Sequence, residues 1–300
     1  MTVSLSPYEG NQQRIDVYLT SQFPYSRNFF HHIIKRWGVL VNDKQVKKSY
    51  KLENGDVVSI DDLQRYLEPV LLDEAPAIDI PVIYEDKNIL VLNKPKGVLS
   101  HPNSIWDVQT PSVVGFLYHS YRELPSIGSF IRAGLVHRLD KETDGLMVVA
   151  KTEGWLTHLK SLFQQKSEAD TIESKEFIPL RKFYRATCKI TSTWRSFIEQ
   201  IQQAGFPFLI DEDVKPKVPR TIIKRGLTKV LSIKNHGDTA TFELEILTWR
   251  THQIRYHLSS HGLPIVGDYL YGTDEGVSMA LTAFRLQLAN VDGEMKTFEI

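Results

Sequence analysis

From Ile80 onward the 300-residue chain is a succession of short apolar runs, each stopped by glycine, proline or a polar turn before it reaches helical length. Ile83-Tyr84-Glu85-Asp86 leads into Ile89-Leu90-Val91-Leu92-Asn93, and the turn Lys94-Pro95-Lys96-Gly97 follows. Leu135 to Leu139 and Leu146 to Ala150 bracket the polar loop Asp140-Lys141-Glu142-Thr143-Asp144-Gly145. Phe183 to Ile190, Lys229 to Ile233 and Ala240 to Leu247 continue the pattern. Short runs of this kind between turn formers read as strands. Helical spacing shows in Trp155 to Gln164 (Leu156, Leu159, Leu162, Phe163) and in Thr251 to His261, where Ile254 and Leu258 stand four apart and Gly262 supplies the stop. Strands with a few packed helices predict an α+β fold on a largely antiparallel sheet.

Residues 11 to 62 read as a separate small α+β domain. Ser26 is an expected N-cap, and Phe30, Ile33, Ile34 and Trp37 recur at helical spacing before Gly38, the expected stop. Arg27, Lys35 and Arg36 fall on the other face. Val39 to Val41 and Val46 flank the turn Asn42-Asp43-Lys44, which predicts a hairpin, and Lys47, Lys48 and Lys51 follow it. Gly55-Asp56 leads into the strand-like run Val57 to Ile60. Residues 63 to 79, with Pro69 and Pro76 and no periodicity, read as an acidic linker, so that residues 80 to 300 form the main domain.

Lys plus Arg and Asp plus Glu balance at 36 each, so net charge favours no class of partner. The distribution is uneven. Residues 61 to 86 hold eight acids against Arg65 alone, while residues 214 to 237 hold seven bases and no acid. A local basic stretch attracts a polyanion even on a neutral protein, because screening confines the field to about 10 Å; a solvated loop face explains the same charges. One cysteine, Cys188, excludes a disulfide framework and a thiolate zinc cage, and fits a reducing compartment. His137, Asp140 and Asp144, or His252, His257 and His261, are not spaced along one helical face and show no H-E-x-x-H pattern, so no metal site is expected. The start MTVSLSPYEGNQQR has no basic segment ahead of an apolar run, and runs such as Leu146 to Ala150 are far shorter than the roughly 20 residues that cross a bilayer. A cytoplasmic protein without a membrane partner is expected, monomeric by default.

Taken alone, the loop HRLDKETDG is best explained as a turn in which Asp140 and Asp144 bond local amides. Three further segments shift the balance: YEDKNILVLNKPKGVLSHP, RKFYRAT and ILTWRTHQIRYHLSSHGLPIVGDYLYG. With GLVHRLDKETDG, in this order and spacing, they resemble the pseudouridine synthases of the family named for large-subunit ribosomal RNA modification. RIDVYL and SRNFFHHIIKRWGVLVNDKQVKKSYKLENGDVVSI resemble the alpha-L RNA-binding domain that many RNA-modifying enzymes and a ribosomal protein carry.

The resemblance implies isomerisation of uridine to pseudouridine in structured ribosomal RNA or transfer RNA, with RNA as the partner and no cofactor. Breaking the base–ribose bond, turning the base and rejoining it through carbon divides into easier steps with a carboxylate nucleophile. In the family's arrangement that nucleophile is Asp140, and Arg255 is the guanidinium that keeps it ionised and aimed. Tyr184 matches the tyrosine that stacks on the base and helps move its proton. Arg138 matches a residue that fills the space left by a flipped base. His137, Leu139, Thr251, His252, Gln253 and Ile254 belong to the same motifs and are expected to line the substrate site. Arg27, Lys35, Arg36, Lys44, Lys47 and Lys48 are the expected RNA contacts of the small domain. Attack on the uracil ring and attack on the ribose anomeric carbon are both compatible with these residues.

Asn93, Lys94, Pro95 and Gly97 are expected to shape a strand-to-turn junction, and Gly267, Asp268, Tyr271 and Gly272 to fix a loop over a helix end. Asp144 and Trp249 depart from the family, which carries a small residue, often Ser, at the first position and Gly at the second. A non-catalytic RNA-binding or ribosome-assembly factor that keeps the fold is the alternative reading; the intact set of Asp140, Tyr184 and Arg255 argues against it.

Overall fold

The computed structural model describes the chain apart from residues 1, 11, 26, 64–65, 67–74, 103–108, 122–123, 126–133, 170, 192–193, 219–221 and 273–275, and apart from the side chains of 28, 195 and 196. It divides into two compact units, residues 1–78 with 101–133 and residues 79–100 with 134–300. The expected N-cap Ser26 and most of the expected linker lie outside the described residues.

In the first unit β1 (Val3–Ser4), α1 (Ile15–Gln22), α2 (Arg27–Lys35), β2 (Val39–Val41), β3 (Lys44–Gln45) and β4 (Val58–Ile60) follow in turn. The strands pair antiparallel in the order β1-β4-β2-β3. Asn42 and Asp43 both take positive φ, 50° and 61°, so two residues close the hairpin and the return strand starts at Lys44 rather than near Val46. Phe30, Ile33 and Ile34 face the core as expected, but Trp37 does not: it is 63% exposed with φ 70°. The Trp37 N–H donates to the Ile34 carbonyl and the Gly38 N–H to the Ile33 carbonyl, so Trp37 is the left-handed residue that ends α2. Gly38 is required for a different reason, since a Cβ there would stand 2.8 Å from Ile33 Cγ2. The fully buried Asp16 carboxylate ties α1 to α2 by accepting from Arg14, Arg27 and His31. A further helix, α3 (Val113–Ser120), belongs to this unit. Ser112 caps it, and His119 on it lies 2.9 Å from the Ala75 carbonyl. Nothing in the residue pattern of 101–133 announces that this segment leaves the second unit.

The second unit contains β5 (Val82–Glu85), β6 (Ile89–Lys94), β7 (Asp144–Ala150), α4 (Glu153–Glu168), α5 (Ile172–Phe177), β8 (Leu180–Lys189), α6 (Arg195–Ala204), β9 (Phe208–Val214), β10 (Lys224–Asn235), β11 (Thr239–Ile246), α7 (Gln253–Ser260), β12 (Leu281–Ala289) and β13 (Met295–Glu299). The strands form one nine-stranded sheet in the order β5-β6-β7-β12-β8-β11-β10-β9, with β13 also on β12. Every pairing is antiparallel except β7 with β12, where Asp144 and Gly145 lie opposite Thr282 and Ala283. The α+β architecture on a largely antiparallel sheet is the one expected. Gly145, at φ 115°, is obligatory there, because a Cβ would meet the Ala283 carbonyl oxygen at 2.3 Å.

Trp155, Leu156, Leu159, Leu162 and Phe163 of α4 pack on Ile89, Val91, Leu146 and Val148 of the sheet. Each such side chain withdrawn from water contributes about 1.5–3 kcal/mol. The expected strand over Leu135 to Leu139 is absent apart from a single bridge between Leu135 and Val149. Leu139 has no ladder to join because a side chain, Ser100, takes both of its backbone groups.

Candidate active site

The segment before β7 is held rigid on both sides of Asp140. The buried Ser100 hydroxyl donates to the Leu139 carbonyl at 2.7 Å and accepts the Leu139 N–H at 2.9 Å. On the other side the Lys141 carbonyl accepts from the Gly97 N–H at 2.9 Å and from Lys94 Nζ at 3.2 Å. Lys94 Nζ also donates to the carbonyls of Pro95 and Val98, so this fully buried ammonium clamps the 94–98 turn to the Asp140 loop. Burial pushes Lys94 down to about 8, against the opposing pull of Asp144, Asp140 and Glu142. The Thr143 N–H closes the turn on the Asp140 carbonyl. The Asp140 side chain, 26% exposed, is thus presented on a fixed base.

It faces a cleft of about 280 Å³. His137, Arg138, Leu139 and Asp140 form one wall, Tyr184 comes from β8, and Thr251, His252, Gln253, Ile254 and Arg255 come from the start of α7. All the residues expected at the catalytic and substrate site therefore converge. Tyr184 is buried, and burial together with the Asp140 carboxylate raises its phenol far above the ordinary value. Arg138 and His252 each approach an Asp140 oxygen at 3.9 Å.

Arg255 is engaged elsewhere. Its Nε and Nη2 donate to the two Asp268 oxygens at 2.7 and 2.6 Å, with both side chains buried. Burial by itself would raise the Asp268 carboxyl; the Arg255 fork and the N–H groups of Tyr271 and Leu270 outweigh it and hold the carboxyl below its usual range. The Asp140 charge adds to what raises the Arg255 pKa, so the two share one electrostatic field although Asp268 takes the hydrogen bonds. His252 opens α7 in the left-handed region at φ 55°, an uncommon conformation for a residue with a Cβ. Its Nδ1 lies 3.1 Å from the Tyr271 hydroxyl, whose oxygen accepts the Lys217 N–H at 2.8 Å. Burial lowers the His252 pKa against the pull of Asp140.

The family model for RNA pseudouridylate synthase matches residues 88–260. The chain belongs to that family. An uncharacterized RNA pseudouridine synthase of Aquifex aeolicus is 35% identical over 88% of this chain and 78% of its own length. The ribosomal large subunit pseudouridine synthase D of Borreliella burgdorferi is 32% identical over 96% and 86%. Human RNA pseudouridylate synthase domain containing 1 shares the fold, with a TM-score of 0.54 at 21% identity over 75% of this chain and 85% of that one. The chain is accordingly an RNA pseudouridine synthase, an enzyme that isomerises uridine in RNA. No helix among the described residues is long and apolar enough to cross a membrane.

Not every motif residue of the synthase is free to meet RNA. Gln253 donates to the Leu227 carbonyl and the Thr228 hydroxyl, and accepts from the Thr248 hydroxyl and the Arg250 N–H, so it shapes the cleft floor. Leu139 and Ile254 are buried. Asp144 accepts from the Thr282 hydroxyl at 2.8 Å, with Lys96 3.9 Å away. Trp249 packs on Phe163 and lines the cleft.

Residue pattern passed over Lys182, which lines the same cleft. The signal was available: on a strand, residues two apart share a face, and Lys182 stands two before Tyr184. Ser100 gave no such signal, since it is 39 residues from its partner.

In the first unit Arg27, Lys35, Arg36, Lys44, Lys47 and Lys48 are all exposed. Arg27 is engaged by Asp16, while Lys35, Arg36 and Lys48 gather near His32, whose pKa falls through burial, His31 and these three cations. Within the basic stretch of the second unit, Arg225 pairs with Asp211 and Lys229 with Glu176.

Proposed function

We propose that the enzyme converts uridines of large-subunit ribosomal RNA to pseudouridine, with Asp140 as nucleophile on a base flipped into the cleft. The observation that carries this reading is the convergence of Asp140, Tyr184 and Arg255 on one cleft, with the backbone on both sides of Asp140 anchored. A flipped uracil stacks on Tyr184, Arg138 occupies the space it leaves, and the buried Arg255–Asp268 pair stabilises negative charge on the carboxylate. Residues 80–300 carry the chemistry, and residues 11–62 form an alpha-L-type RNA-binding domain joined through residues 63–79. The exposed Lys35, Arg36, Lys44, Lys47 and Lys48 neutralise phosphates. The names of the relatives support ribosomal RNA over transfer RNA. The enzyme acts in the cytoplasm, as a monomer, without a cofactor.

The test uses transcripts of the cell's own ribosomal and transfer RNA genes made with [5-³H]UTP. Asp140→Asn should lower tritium release by about 10³-fold or more while leaving RNA binding nearly unchanged. Retained turnover would remove Asp140 from its role. Release from transfer RNA transcripts alone would overturn the choice of RNA.

A further inference from the structure

We propose that the Arg250 guanidinium is a phosphate site of the cleft and holds the phosphodiester beside the flipped uridine. The inference rests on the reading of the Asp140 cleft as the place of reaction, and it names the part of the RNA backbone that the cleft grips.

The position of Arg250 follows from the way β10 ends its pairing. β10 pairs with β11 only from Thr228 onward, where Thr228 lies opposite Ile246. Before that point its N–H and carbonyl groups on this side need other partners. The Leu247 N–H and Gln253 Nε2 donate to the Leu227 carbonyl, and the Thr248 hydroxyl accepts the Leu227 N–H. Two residues earlier, on the same side of the strand, the Arg225 carbonyl accepts from Arg250 Nε at 2.9 Å. The Arg250 backbone is fixed as well: its N–H donates to Gln253 Oε1 and its carbonyl accepts the Gln253 N–H, each at 3.1 Å. Backbone and side chain are thus both ordered before any ligand arrives.

What the guanidinium lacks is an anion. Arg250 lines the cleft, is half-buried, and forms no ion pair among the described residues. Its Nε–H is committed to Arg225, so the four N–H groups on its two terminal nitrogens have no partner there. Asp140 is the only acid among the described residues that line the cleft. The other cations are placed differently: Asp268 takes Arg255, Arg138 approaches Asp140 at 3.9 Å, and Lys182 is buried against His137. Arg225 adds no second site, since Asp211 takes its Nε and Nη2 at 2.6 and 2.5 Å. Tyr184 is buried, so a base that stacks on it lies inside, and the backbone that carries the base stays nearer solvent, where Arg250 stands. A phosphodiester presents two anionic oxygens to the free edge of a guanidinium, whereas a uracil carbonyl is a single neutral acceptor.

The reaction gives such a grip a purpose. Isomerisation frees the base from the ribose, and the ribose must keep its place if the base is to rejoin it through carbon. A phosphate fixed by Arg250 holds that ribose in register with Asp140 while the base turns. Arg250 moves no proton; it contributes affinity and position.

The probe is a short synthetic RNA around the uridine that the wild-type enzyme modifies. One linkage, 5′ or 3′ of that uridine, is made a neutral methylphosphonate, with the adjoining 2′-hydroxyl methylated in probe and control alike. Wild-type affinity should fall by about 10–100-fold for one of the two linkages. Arg250→Gln should lose a similar factor on the all-phosphate RNA and no more than about twofold further on the neutral linkage. It should also lower the salt slope of binding by about one. Its loss should fall on affinity more than on the saturating single-turnover rate. Arg250→Lys, which keeps the charge but not the fork, should recover part of the affinity and the sensitivity to that linkage. Asp140→Asn should keep the full linkage effect while losing turnover, so failure of the nucleophile reading and failure of this one give different patterns. A wild-type loss under about threefold at both linkages would overturn the assignment, and that arm needs no variant. An Arg250→Gln protein that loses the same further factor as wild type would also overturn it, since the phosphate would then be held elsewhere.

Discussion

Asp268→Asn takes one charge from a pair that neither partner could keep alone in the interior. The Asp268 side chain is fully buried and Arg255 is 4% exposed. Asparagine can still accept the Leu270 and Tyr271 N–H groups through one oxygen, as Asp268 Oδ1 does. Its amide, however, faces the Arg255 Nε–H, a donor against a donor, and the guanidinium is left buried without its hydrogen-bonded counter-charge. Breaking a buried pair in this way costs about 3–5 kcal/mol. At about 2–4 °C per kcal/mol for a unit of this size, the melting temperature should fall by about 6–20 °C. Turnover should fall by about 10²-fold as the start of α7 loses its alignment. Scanning calorimetry of the wild type, Asp268→Asn, Arg255→Met and the double variant checks this. The double variant should cost less than the two single losses added together, because Arg255→Met removes the stranded charge. A melting temperature within about 2 °C of wild type for Asp268→Asn, or additive losses, would refute the reasoning.

Ser100→Ala strands the N–H and carbonyl of Leu139 beside Asp140 and should cost about 1–3 kcal/mol. It should lower kcat more than RNA affinity, as steady-state kinetics beside filter binding will show. His257 is fully buried with Nε2 unpartnered, and burial lowers its folded pKa to about 4 against an unfolded value of about 6.5. Between those values the unfolded chain holds the extra proton, so stability falls as pH drops, by about 2 kcal/mol from pH 6.5 to 5. Urea unfolding at several pH values should show a flatter slope in His257→Gln. Replacing Lys47 and Lys48 together by glutamine should weaken RNA binding and reduce the salt slope by about two; an unchanged slope in titrations from low to high salt would remove these lysines from the interface.

Much of this protein was legible in order along the chain. Runs such as Ile89–Leu92 and Leu146–Ala150 specify strands because short, uninterrupted apolar runs between turn residues suit a strand buried on both faces. The spaced motifs around Asp140, Tyr184 and Arg255 specify the family, because four segments in fixed order and spacing do not recur by chance. Other features were settled by packing. Leu135–Leu139 had the composition of a strand, yet Ser100 captured its Leu139 end. Gly38 looked like the helix stop, but Trp37 took the left-handed position and Gly38 made room for Ile33. Residues 101–133 joined the first unit through contacts near Ala75, which no local pattern encodes. The site divides in the same way. Residue types and spacing marked Asp140, but only the fold put Asp268 on Arg255 and His137 against Lys182. Hydrogen-bond partners and the degree of burial are properties of distant segments brought together, and no local pattern of residues encodes them.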